Sequence, residues 1–206
     1  MIDTAKLIEA VDKADSADKL LDAVENLADA RSTEAIPTLI QVLGFNNPGA
    51  AVAAVDGLIK IGDPVVPHLL ASLDDYNYGA RAWSLRVFAG IGDPAALNLL
   101  LKAAVTDFSQ SVRRAAARGL GIIQWHKLAP ADILPAQQEA FKTLLIATED
   151  GEWVVRYAAI VALQSLGKTQ PDFFPDITAK LQEMLTMESE TGVSARAKLA
   201  IEKLKV

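Results

Sequence analysis

Arginine is the residue type with the most chemistry to offer in this chain, and several arginines are spaced to act together. Arg114 and Arg118 are four residues apart, one turn of a helix. Arg86 falls at the same place as Arg118 in a repeat set out below. A guanidinium presents a planar fork of donors that matches a carboxylate. On helices packed roughly 8–10 Å apart, such side chains could grip the carboxylates of one ligand. Tyr76, Tyr78, Trp83 and Phe108 lie close by in sequence and offer aromatic faces. Asp107 stands among them as a carboxylate candidate for a functional role. All of these fall between Asp74 and Arg118.

Much other chemistry is excluded. Cysteine is absent, which removes disulfides, thiolate metal sites and a cysteine nucleophile. His68 and His126 lack metal-ligand spacing, so no metal site is expected. No nucleophile elbow or phosphate-binding glycine loop occurs. Gly90-x-Gly92 has no strand before it and reads as a helix end. A net charge of −6 argues against nucleic acid as a partner. No apolar run approaches the roughly 20 residues that span a bilayer, so membrane insertion is not expected. The first residues, MIDTAKLIEAVDKAD, mix acids with apolar residues and do not read as a signal peptide. A soluble, cytoplasmic protein is the expectation.

The elements that must position the arginines follow from self-similarity. Gly62-Asp63-Pro64 recurs as Gly92-Asp93-Pro94, thirty residues later. The glycines fit the end of one helix, where a positive φ is common, and the prolines fit the start of the next. Taking Ala51, Arg81, Arg113, Arg156 and Ser194 as equivalent, the residue seven further on is Leu58, Phe88, Leu120, Leu163 and Ile201. Three further on stand Ala54, Ser84, Ala116, Ala159 and Ala197, small enough for close helix approach. One apolar helical face is thus repeated five times. Residues 4–15 and 17–31 read as the first helix pair, with Leu20, Leu21, Val24 and Leu27 as a stripe. Residues 136–148 with 152–166, and 173–187 with 192–205, read as the last two pairs. Residues 124–135 read as an inserted loop, since they hold Pro130 and Pro135. No segment alternates with period two. The expectation is an all-α fold, a short right-handed α-solenoid of about six HEAT-like helix pairs, forming a single domain over residues 1–206.

That frame separates two kinds of arginine. Asp75/Arg81, Asp107/Arg113 and Asp150/Arg156 share one spacing at one place in the repeat. HEAT-like repeats commonly use such an acid and arginine as a ladder between neighbouring turns, so these are read as scaffold, with Asp107 kept as a lesser functional candidate. Positions one and five after the reference residue lie off the core face. They read Val52/Asp56, Ala82/Arg86, Arg114/Arg118, Tyr157/Val161 and Ala195/Leu199. Arg86, Arg114 and Arg118, with Trp83 and Tyr78 at their border, are expected to share one groove. The same row turns apolar at Tyr157, Val161 and Leu199, which reads as a partner surface.

At DDYNYGARAWSLRVFAGIGDP and DFSQSVRRAAARGLG the chain resembles the phycobiliprotein lyases of the E/F type, HEAT-like repeat proteins of cyanobacteria. The string from Tyr76 to Trp83 carries most of the likeness, and its wording is nearest the F-type subunits acting on the phycocyanin α subunit. The resemblance implies a heterodimer with an E-type subunit, and phycocyanobilin as bound substrate with no prosthetic group. It implies attachment of that bilin by a thioether to a cysteine of the phycocyanin α subunit, and possible detachment or transfer. The bilin's propionates suit Arg86, Arg114 and Arg118, its conjugated rings suit Tyr76, Tyr78, Trp83 and Phe108, and a carboxylate such as Asp107 could hydrogen-bond the pyrrole nitrogens. Family members that isomerise the bilin use a His–Cys pair, which this cysteine-free chain does not have. A non-enzymatic HEAT scaffold and a bilin chaperone stand as alternatives at this point.

Overall fold

The computed structural model describes residues 3–73 and 78–205. Asp75 and Tyr76 lie outside the described residues, as does the side chain of Tyr78. Among the described residues there are twelve α-helices and no strand, as the periodicity requires. Helices α1 (Thr4–Asp12), α2 (Ala17–Asp29), α3 (Ile36–Val42), α4 (Pro48–Ile61), α5 (Val65–Ala71) and α6 (Tyr78–Ile91) belong to one compact unit, Met1–Ile91. Helices α7 (Leu97–Thr106), α8 (Gln110–Leu120), α9 (Pro130–Ala147), α10 (Trp153–Thr169), α11 (Phe174–Met187) and α12 (Thr191–Leu204) belong to a second, Gly92–Val206.

In the first unit α1 packs on α2 and α3 on α4, while α2, α4 and α6 stack as a row. Their apolar stripe closes the core: Val24, Leu27, Ala54, Leu58 and Phe88 are each fully buried. Burying such Leu, Val or Phe side chains stabilises by about 1.5–3 kcal/mol apiece. Leu20 and Leu21, expected in the same stripe, are only half-buried. Asn47 fastens one pair to the one before. Its Oδ1 accepts from Ala50 N at 3.1 Å, capping α4, while its Nδ2 donates to Ala17 O at 3.1 Å.

In the second unit α7 packs on α8, α9 on α10 and α11 on α12, and α8, α10 and α12 form the stacked row. The small residues expected at the closest approach, Ala116, Ala159 and Ala197, are fully buried. Gly62 and Gly92 end α4 and α6 with φ of 81° and 73°. At Gly92 a second constraint applies: a Cβ there would stand 2.3 Å from Ile122 O.

The segment expected as a loop over 124–135 is one only in part. Trp125–Lys127 form a 3-10 turn, and α9 already starts at Pro130. Pro130 takes the first helical position, where its missing N–H costs nothing. Pro135 sits inside the helix, near its start, where the N–H it lacks removes one intrahelical bond. The turn is docked rather than loose: Gln124 N donates to Gly92 O at 2.8 Å, Lys127 Nζ pairs with Asp93 at 3.1 Å, and Trp125 is buried.

Candidate functional site

Helix α8 carries the arginines on two faces. Val112, Ala115, Ala116, Ala117 and Leu120 are buried against its neighbours. Arg113, at the edge of that face, is locked. Its Nη1 donates to Asp107 O at 2.9 Å and Phe108 O at 3.0 Å, the open carbonyls of its own turn. Its Nε and Nη2 donate to both oxygens of Asp150, at 2.6 and 2.9 Å, in the next repeat. Arg156 repeats the pattern one repeat later. Its Nη1 donates to Asp150 O at 2.9 Å and Gly151 O at 3.1 Å, and its Nε and Nη2 to Glu188 at 2.7 and 2.8 Å. Each acid is itself held by its turn, with Asp150 accepting from Glu152 N at 2.8 Å and Glu188 from Glu190 N at 2.9 Å. Ser194 replaces the arginine in the last repeat, and its hydroxyl donates to Glu188 O at 3.4 Å.

The electrostatics follow. The hydrogen bond from Arg156 chiefly holds the Glu188 carboxyl below its ordinary range. At Asp150 burial pushes upward most strongly of any single effect, yet the bonds from Arg113 and Glu152 N and the arginine charges together bring it below its ordinary value. Arg113 is raised, first by its bond to Asp150. These are bidentate, charge-assisted bonds at side chains exposed by 15% or less for Arg113, Asp150 and Glu188, the geometry in which an ion pair counts.

Asp107 belongs to this row and not to an open site. It is buried, ends α7, and its Oδ1 accepts from Ser109 N at 2.9 Å, as Asp150 and Glu188 do in their turns. The carboxylate expected as a catalytic candidate is thus buried in a turn, at the place in the repeat that Asp150 and Glu188 take. Phe108, beside it, is the opposite: its ring is 73% exposed.

Arg114 and Arg118 point away from the core of α8, and both are exposed. Among the described residues no hydrogen bond or ion pair is recorded for either. Two cations one turn apart repel each other, so a surface that keeps both is open to an anion. In the first unit, Arg86 is exposed and lies over the ring of half-buried Trp83, 4.6 Å from its centre, on α6. Arg86 belongs to the first unit and Arg118 to the second.

The residues of the apolar row lie at the surface to different degrees. On α10 Tyr157 is 40% exposed and Val161 half-buried, and on α12 Leu199 is 45% exposed. The sequence reading missed one residue here. Arg196 of α12 donates from Nη2 to Gln164 Oε1 of α10 at 2.6 Å. Its Nη1 is buried with no hydrogen-bond partner. Burial pushes this guanidinium down, with the Tyr157 phenol opposing that. The equivalent position holds Ala53, Trp83, Ala115 and Ala158 elsewhere, so only the break in that pattern could have pointed to it.

Comparison with known proteins agrees with this architecture and narrows it. The family model described as HEAT repeats matches residues 4–86 and 66–134. A phycobilisome maturation protein of Synechococcus elongatus is 52% identical over 202 residues, covering 98% of both chains. The phycocyanin alpha phycocyanobilin lyase CpcF of Synechocystis is 51% identical over 199 residues, covering 97% of this chain and 93% of its own. The solved complex of CpcE and CpcF of phycocyanin lyase from Nostoc contains a chain 52% identical, with a TM-score of 0.77, covering 82% of this chain and 99% of that one. A designed armadillo repeat protein, 16% identical with a TM-score of 0.60, shares the fold alone.

Proposed function

The chain belongs to the HEAT-repeat phycobiliprotein lyases of the E/F type, and we propose on that premise how its surfaces serve the reaction. It is the F-type subunit of a phycocyanobilin lyase, the activity carried in the names of relatives of nearly the same length. Its bound substrate is phycocyanobilin, its partner an E-type subunit, and its acceptor a cysteine of the phycocyanin α subunit. The acceptor supplies the thiol, which suits a chain with no cysteine of its own.

The observation that carries the residue assignment is the contrast on α8 between locked Arg113 and the unengaged pair Arg114 and Arg118. We assign the pair to the bilin propionates. Phe108, exposed in the turn before the same helix, offers a ring to the conjugated system. On the first unit Arg86 over Trp83 offers the same chemistry, with the guanidinium held in place by the ring. With Asp107 committed to its turn, the work of these residues is to hold the pigment still for the incoming thiol, which is a large part of catalysis for a two-reactant step. The apolar row of Tyr157, Val161 and Leu199 we assign to the E-type subunit.

The test is Arg114→Ala/Arg118→Ala, paired with its E-type subunit and titrated with phycocyanobilin. Charge-assisted contacts contribute about 1.5–3 kcal/mol each, so the double variant should bind at least a hundredfold more weakly. Its melting temperature should not move. Unchanged affinity in the folded, paired variant removes the pair from the site. Wild-type chain, E-type subunit, bilin and apo α subunit together should yield the covalent adduct. Bilin binding without an adduct would make the chain a chaperone, and no binding at all a scaffold.

A further inference from the structure

Arg196 has no task in the repeat ladder, yet it is tied to a neighbouring helix. It reaches from α12 to α10, where Gln164 accepts from Nη2 at 2.6 Å. Gln164 lies seven residues beyond Tyr157 and three beyond Val161, on the same face of α10. Leu199 lies three beyond Arg196 on α12. The guanidinium therefore sits within the exposed apolar row, close enough to Tyr157 to feel its phenol. Its Nη1 is shut off from solvent and satisfied by nothing. A charged donor buried without an acceptor is unfavourable, and a carboxylate is the acceptor that its fork fits.

We propose that Arg196 is the recognition residue of this face, taking a carboxylate side chain of the E-type subunit between Tyr157, Val161 and Leu199. This rests on the reading above, in which that row meets the E-type subunit. In the free chain the guanidinium folds back on Gln164. On docking it turns outward, exchanging one neutral acceptor for a charged one and freeing Nη1 from its unpaired position. The apolar residues around it exclude water and make the charge pair selective: a partner lacking the carboxylate would leave the cation buried and unanswered. A protein side chain fits better than a pigment. Tyr157 and Leu199 are exposed on the surface of α10 and α12. One cavity in this unit, of about 350 Å³, is lined by residues from Thr148 to Ser189, including Lys180 and Met187. Another, about 650 Å³, is lined by Gly167, Lys168, Pro171, Phe174, Lys203 and Leu204. Neither includes Arg196 or the apolar row.

The experiment measures the dissociation constant for the E-type subunit by calorimetry, with the melting temperature of each isolated chain. Arg196→Met should keep or raise the melting temperature, since it replaces a half-buried cation with one unpaired nitrogen by an apolar chain of similar length. It should weaken pairing at least tenfold. Arg196→Gln, which retains an amide for Gln164, should weaken pairing to a similar degree. Val161→Glu should abolish pairing and reports on the row itself. If both Arg196 variants pair like wild type, the inference fails and the lyase reading stands, whether or not their melting temperatures fall. If they pair normally but lose affinity for phycocyanobilin, the carboxylate belongs to the pigment and the inference fails. If Val161→Glu pairs normally, the row is not the interface, and that assignment falls together with the inference.

Discussion

At the turns of the second unit arginine is locked, and on the outer face of α8 it is left loose. Arg113 and Arg114 are consecutive residues of one helix. The first spends four hydrogen bonds on two turn carbonyls and the carboxylate of the next repeat. The second makes none among the described residues, and neither does Arg118 one turn on. The difference lies in direction alone. A step of about 100° around the helix carries the guanidinium from the seam between repeats to an open surface. One residue type thus serves fold and ligand on the same helix, and substitution can separate the two tasks.

The strongest way to break this comparison is Arg113→Met. It leaves the buried Asp150 carboxylate and two turn carbonyls without their donor, a loss of about 3–5 kcal/mol. The melting temperature should fall by roughly 10 °C for a chain of this size. Arg114→Met should stay within about 0.5 kcal/mol of wild type. Thermal denaturation of the two variants side by side checks both, and equal losses would abolish the distinction.

Acid should sharpen it next. Asp150 and Glu188 are held below their ordinary values in the folded chain. Their ion pairs therefore contribute stability that is fully present above the unfolded-state values, about 4, and lost as pH falls through the lower folded values. Urea titrations between neutral pH and pH 3 should show stability dropping across that window. In Arg113→Met the carboxylate of Asp150 loses its largest favourable partner, so the drop should be visibly shallower. A parallel decline in both chains would mean that the ladder is not the titrating element.

Smallest is Ser194→Arg, which extends the ladder by one residue. The new fork would meet the Glu188 and Ser189 carbonyls, but Glu188 is already held by Arg156. Without an acid of its own it should change stability by no more than about 0.5 kcal/mol. A gain of several kcal/mol would show that the carbonyls, and not the next repeat's acid, make the locked arginine valuable.

The parts legible in the sequence were those governed by local rules. Gly62 and Gly92 announce helix ends because few other residues take a positive φ. Arg113 and Arg156 were legible as scaffold because acid and arginine recur at one spacing in each turn. Glu188 was not, since a glutamate stands for the aspartate and a serine for the arginine, and its role exists only through Arg156, 32 residues earlier. Pro135 misled because a proline is read as a breaker, whereas near a helix start it removes only one bond. Arg196 was hidden for another reason. Nothing in α12 says that its guanidinium meets Gln164 of α10; that depends on how the two helices stack. For Arg114 and Arg118 of α8, exposure follows from periodicity, but their lack of a partner among the described residues is a fact of three dimensions.

The ladder also points in one direction along the chain. Each arginine reads its own turn at once, but its acid is found only in the repeat that follows: Asp150 lies 37 residues after Arg113. On the ribosome, where chains grow at roughly 5–20 residues per second, α8 emerges about two to seven seconds before the carboxylate that will hold it. Through that interval the helix pair of α7 and α8 carries an arginine with only turn carbonyls to bind. The repeats of Arg113 and Arg156 are thus completed by the repeat that follows, and synthesis itself sets the order in which these seams close.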